Sequence, residues 1–254
     1  MKSLLVVSLI FYSTTIIAQD SIQKKIKWGL FISAQKTGKV LVTDKGSDTW
    51  VSSNRFKYEK HNFSYNVGIQ FFYKFNKHLL VETGLKYSSY SYRRHVPKNS
   101  PELPSLSGND ELFTKFNYDF IEVPLLIRYN INMNKFKIYS GLGVLSHILI
   151  NKSIIGDSDN DFFSIINVKL IETNYNLFSL SAVGKLGTSY KVSSNFSVYI
   201  ETNFNLMLSP YKSQTYSSRT GNVIEGELIS KENIIILHEK LYSFGLSIGI
   251  MFNL

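Results

Sequence analysis

Ester or amide hydrolysis at a membrane needs a nucleophile, a base and an acid held together, and the base is sought first among the histidines. The chain has five: His61, His78, His95, His147 and His238. They fall on loops, one turn and one inward-facing strand position, and no serine sits in a Gly-x-Ser-x-Gly motif. Asp157, Asp159 and Asp161 alternate like the oxygen ligands of a calcium loop. Phe162 stands where such a loop needs glycine and Val168 where it needs the closing glutamate, so the run reads as a solvated loop. With no cysteine in the chain, thiol chemistry, thiolate metal sites and disulfides are excluded, as is lipid attachment at the mature terminus. The reading is a non-enzymatic protein with no catalytic residue, metal or cofactor.

A second set of residues is more informative. Glu82, Glu122 and Glu201 occur within otherwise apolar segments, as do Lys74, Lys86, Arg128, Lys137 and Lys185. An isolated buried charge is very costly, so charges inside a folded body must pair. Glu82, Lys86, Glu122, Arg128, Lys185 and Glu201 are therefore expected to form a structural charge network. An ion path or a ligand site is the functional alternative for the same residues.

The elements that carry these charges have a period of two. Phe63, Tyr65, Val67, Ile69, Phe71, Tyr73 and Phe75 share one face, and Ser64, Asn66, Gly68, Gln70 and Lys74 the other, interrupted only by Phe72. Such alternation is a strand with one apolar and one polar side. Residues 242–254 and 196–208 repeat it, and five less regular segments lie near 27–37, 79–92, 115–129, 136–150 and 177–190. In the 115–129 segment the apolar parity changes between Phe120 and Ile121, which predicts a bulge beside Pro124. The total is eight strands.

Connections alternate in length. Residues 76–78, 130–135 and 191–195 read as tight turns, while 38–62, 93–114, 151–176 and 211–240 are long, polar loops. Pro97, Pro101 and Pro104 stiffen the second of these loops. Three short periplasmic turns and four long extracellular loops are the pattern of an eight-stranded antiparallel transmembrane β-barrel with both termini periplasmic. A soluble sandwich or lipocalin-like barrel is the alternative, with the apolar face turned inward. Two features oppose it. The strands are long, about 11–15 residues against the usual ~5–6. Their apolar faces also run from aromatic ends to aliphatic middles, as interfacial girdles require.

Residues 1–18 read as a signal peptide, with Lys2 for charge, Leu4 to Phe11 with Ile16 and Ile17 for the apolar core, and Ala18 before the cut. Residues 19–254 are then the barrel domain. The formal charge of +9 is dispersed, with Lys24, Lys25 and Lys27 before the first strand and Lys77, Lys135 and Lys191 at turns. This is no nucleic-acid platform. Outer-membrane lipids are the expected counterpart.

Phe120-Ile-Glu-Val-Pro-Leu-Leu-Ile-Arg-Tyr129 resembles the signature of the PorT-like outer-membrane β-barrel family, through Glu122, Pro124 and Arg128. The stretches Tyr139-Ser-Gly-Leu-Gly143 and Glu82-Thr-Gly-Leu-Lys-Tyr87 are similar to the neighbouring strands of that family. The resemblance implies an outer-membrane barrel, and membership of a larger secretion complex as one function. Separately, Ser247, Gly249, Phe252 and Leu254 are similar to the terminal signal read by the outer-membrane assembly machinery. The leading expectation is an integral outer-membrane protein acting through its loops or rim. An accessory subunit of a secretion complex, a lipid-modifying enzyme and a narrow pore follow in that order.

Overall fold

The computed structural model describes residues 25–43, 59–96, 112–156, 168–224 and 227–253. The segment before residue 25, the acidic run 157–161, the three loop prolines and Leu254 lie outside them. The strands are β1 (Ile26–Thr43), β2 (Glu59–Lys74), β3 (Leu79–Val96), β4 (Leu112–Met133), β5 (Phe136–Gly156), β6 (Val168–Tyr175), β7 (Phe178–Lys191), β8 (Phe196–Met207), β9 (Lys212–Ile224) and β10 (Glu227–Asn253). Eight of them close a ring in the order β1-β2-β3-β4-β5-β7-β8-β10, sealed by the antiparallel β1–β10 pairing.

The faces are distributed as a lipid solvent demands. Ile32, Leu142 and Ile248 point outward at 58 %, 73 % and 59 % exposure, whereas Gln70 and Glu82 point inward at 0 %. A soluble sandwich would reverse this order, because its apolar face would be the one removed from solvent. An apolar exterior around a polar interior, in a ring without free edges, satisfies every backbone group without water.

Turns and loops divide the barrel into two ends. At the turn end, the Asn76 side chain accepts from the amides of His78 and Leu79. Asn134 takes a left-handed φ of 54° in the Asn134–Lys135 turn, a geometry short hairpins favour. At the other end the wall is taller than the alternation predicts, because β4, β5 and β10 run for 22, 21 and 27 residues. Two segments expected as loop are strands. β9 pairs with residues 227–239 of β10, and β6 pairs with β9, so a three-stranded sheet continues beyond the ring. The Ser- and Thr-rich β9 has no continuous apolar face and therefore carries no amphipathic signal.

The expected parity change in β4 is absent. Phe116, Tyr118, Phe120, Glu122, Pro124, Leu126 and Arg128 all face inward in unbroken alternation. The irregularity lies on the partner strand, where Asp119 pairs with Asn151 and Phe120 with Leu149, leaving Ile150 as the extra residue of β5. The aromatics that suggested a lipid face are lumen residues. Pro124 keeps its place in the register with β5 opposite Leu145.

Candidate functional site

Among the described residues, carboxylates and cations pair inside the lumen in three groups. Nearest the turn end, β3, β4, β7 and β8 each turn one charged side chain inward. Arg128 Nη1 donates to Glu82 Oε2 at 2.9 Å. Lys185 Nζ bridges Glu82 Oε1 at 2.6 Å and Glu201 Oε1 at 2.8 Å. Gln70 Nε2 and the Tyr139 hydroxyl complete the carboxylates, at 3.0 Å to Glu82 and 2.9 Å to Glu201. The Arg128 guanidinium lies 3.6 Å from the Tyr139 ring centroid and 4.8 Å from that of Phe72, so its cationic plane is packed as well as paired. Two cations face two carboxylates, and this group is neutral.

The middle group centres on Glu122. It accepts from Lys86 at 3.1 Å, from the Ser88 hydroxyl at 2.7 Å and from the Tyr90 hydroxyl at 2.7 Å. His147 Nδ1 lies 2.7 Å from Glu122 Oε1, and Nε2 lies 2.6 Å from the Ser181 hydroxyl. This serine–histidine–glutamate sequence is the order in which a nucleophile relay is built. Two features deny it that role. The Nδ1 position, though close, is out of line for a hydrogen bond with the carboxylate, and Ser181 is 1 % exposed. The space beside it, about 10 Å³ and lined by Tyr90, Met207 and Leu241 among others, is too small for an ester. The set works as buried hydrogen bonding.

The third group lies at the loop end. Lys39 and Lys212 each approach Glu239 at 3.5 Å, and the hydroxyls of Tyr92 and Tyr211 donate to its other oxygen at 3.1 and 2.9 Å. Around it Tyr92 stacks on Phe116 at 4.8 Å, and Tyr118 meets Tyr211 edge-on at 4.8 Å. Buried Tyr90, Phe120, Leu149, Met207 and Leu241 continue this cluster. An eight-stranded barrel is just wide enough for side chains to fill it, and here they do so at three levels.

Of the charged residues singled out in the sequence, Glu82, Arg128, Lys185 and Glu201 come together, while Lys86 and Glu122 meet in the separate middle group. Lys74 and Lys137 stand at the turn-end mouth, away from both. Lys39, Lys212 and Glu239 were not expected inside, since 211–240 reads as loop, and no sequence signal distinguishes Glu239 from a solvated glutamate. The tyrosines were hidden because aromatics also mark the membrane interface. Of the expected assembly residues, Ser247 is buried and accepts from Asn203 at 2.7 Å, and Phe252 stacks on Trp28 at 4.6 Å. Gly249 leaves room for the Tyr199 hydroxyl, which a Cβ would meet at 2.5 Å.

A closed antiparallel ring with a polar, paired interior and an apolar exterior is a transmembrane β-barrel. The outer membrane protein beta-barrel domain family matches residues 17–209, and this chain belongs to that family. Its place is therefore the outer membrane. OprG from Pseudomonas aeruginosa is similar at 13 % identity over 90 % of this chain and 99 % of that one, with a TM-score of 0.47. The Escherichia coli outer membrane protease OmpT is similar at 9 % identity, over 94 % and 99 % of the two chains, with a TM-score of 0.41. Neisserial surface protein A is similar at 12 % identity, over 89 % and 97 %, with a TM-score of 0.40. No curated protein sequence matches the chain.

Proposed function

We propose that this protein is a closed, non-conducting barrel that anchors a contact surface at its loop end, with the turn end and both termini in the periplasm. The observation that carries the reading is the single strand β10. Its residues 237–253 pair with β1 in the barrel wall, and its residues 227–236 continue beyond that pairing against β9. One continuous strand thus joins the membrane anchor to the outer sheet, so load on the sheet is transmitted to the wall. Ten residues at ~3.4 Å each carry it as much as about 34 Å along the strand. Among the described residues β6 ends the sheet with one ladder partner, β9, and an edge of that kind can receive an added strand from another chain. The filled lumen supports the absence of transport, and the sealed Ser181 supports the absence of chemistry.

The resemblance to PorT-like barrels favours a second reading, an accessory subunit of a secretion complex. Glu122, Pro124 and Arg128 face the lumen, so the shared motif speaks for common packing and leaves the partner to the outer sheet. The test is cross-linking on intact cells followed by mild detergent extraction. A variant in which a short turn replaces residues 213–236 should still give a heat-modifiable barrel but lose its cross-linked partners. Retention of the same partners by that variant would remove the outer sheet from the account.

A further inference from the structure

The turn-end mouth of the lumen collects four lysines, Lys27 on β1, Lys74 on β2, Lys137 on β5 and Lys191 on β7. Each follows the inward register of its strand, two residues from buried Gly29, Phe72, Tyr139 and Ser189 respectively. In the ring order, β1 is four strands from β5, and β2 is four strands from β7. Lys27 and Lys137 therefore face each other across the diameter, and so do Lys74 and Lys191. The charges acting most strongly on the Lys27 ammonium are those of Lys137, Lys74 and Lys191, all of them cations.

Among the described residues, no carboxylate immediately inward is left to offset this charge. In the group immediately inward, Arg128 and Lys185 already consume both Glu82 and Glu201. Four like charges turned toward one axis repel one another, in a mouth whose low-dielectric wall screens them less than bulk water would. Had the lysines served only to meet headgroups, they would point outward on the lipid side, where snorkelling places them.

We propose that this mouth is a binding site for a phosphate oxyanion, held between the opposed ammoniums. A phosphate group offers several acceptor oxygens to donors arriving from opposite sides, and lysines bind it as point charges. The phosphate can be free in solution or belong to an inner-leaflet phosphodiester headgroup that tips into the mouth.

The experiment uses the full chain refolded in zwitterionic detergent and titrated calorimetrically with inorganic phosphate at low salt. Wild type should bind saturably, at one site per barrel, with affinity falling as sodium chloride rises. The Lys27→Gln/Lys137→Gln double variant should bind at least tenfold more weakly. Lys77→Gln/Lys135→Gln, which removes the same charge from exposed turn positions, should stay within about twofold of wild type. Heat-modifiable gel mobility reports folding for all three. Repeating the titration in an amine-oxide detergent with and without short-chain phosphatidylcholine, which carries the phosphodiester but no net charge, separates the sources. Weaker phosphate binding in the presence of the phospholipid identifies the headgroup as occupant, and unchanged affinity identifies free phosphate. Absence of saturable binding by folded wild type overturns the site. So does a double variant that binds as wild type, or an equal loss in the turn-lysine control.

Discussion

Replacing Lys185 with methionine probes the lumen at its most connected atom. Lys185 Nζ is within 2.8 Å of both Glu82 and Glu201, and the substitution keeps most of the stem while deleting the charge. Glu82 would retain Arg128 and Gln70, but Glu201 would be left with the Tyr139 hydroxyl alone. The group passes from neutral to one net negative charge in a space closed to water. Breaking a buried pair by removing one partner costs about 3–5 kcal/mol. With a urea slope of about 2 kcal/mol/M, the unfolding midpoint should fall by about 1.5–2.5 M. Refolded barrel in liposomes, followed by gel mobility and tryptophan fluorescence, reads this directly. Adding Glu201→Gln removes the stranded charge and should restore more than half the loss. Adding Glu122→Gln should not, because Glu122 has a different set of partners, Lys86, His147, Ser88 and Tyr90. A midpoint unchanged by Lys185→Met, or recovered equally by the two second changes, would refute the division of the lumen into separate charge groups.

Other outcomes follow from the same geometry. Ile248→Asp puts a carboxylate on a lipid-facing position of β10, 59 % exposed, and should cost ~1–4 kcal/mol according to depth, seen as reduced yield of heat-modifiable barrel. Gly143→Ala drives a Cβ into the Leu125 carbonyl oxygen, whereas at Gly184 the nearest atom is the Leu142 methyl at 3.6 Å. The first substitution should lower the refolding yield sharply and the second leave it unchanged, measured side by side in the same lipid. A cysteine replacing exposed Asn174 should react with an impermeant maleimide on intact cells, while one replacing exposed Ser194 should react only after permeabilisation. The opposite labelling would invert the orientation proposed for the two ends.

The ring was legible in the sequence because its strands alternate between two solvents of opposite polarity. Phe63 to Phe75 is the clearest case, and the structure places its apolar members outward and Ser64, Asn66 and Gln70 inward. Where the lumen itself turns aromatic, the same rule misleads. Phe116, Tyr118 and Phe120 suggest a lipid face, yet they are fully buried, because the loop-end third of the lumen is closed by rings as well as charges. The outer sheet was illegible for a different reason. The Ser- and Thr-rich β9 is held by its ladders with β10 and β6 and has no apolar periodicity to announce it. Pairing partners were equally hidden. Alternation assigns Glu82, Lys185 and Glu201 to the inside, but which charge meets which depends on the stagger of strands around the ring. His147 shows the limit most plainly. One lumen-facing histidine is visible in the sequence, while its closeness to both Glu122 and Ser181 arises only from the β4–β5–β7 register.

The central claim is that paired charges and aromatic rings close the lumen, and single-channel recording tests it most directly. Purified wild-type barrel inserted in a planar bilayer should give no steady conductance, because an eight-stranded barrel is only wide enough for side chains and those of Arg128, Lys185 and Glu239 are buried within it. Insertion is verified in the same membrane by protease protection of the turn end. A steady, large and weakly selective conductance from the inserted wild type would contradict the account and make the protein a pore.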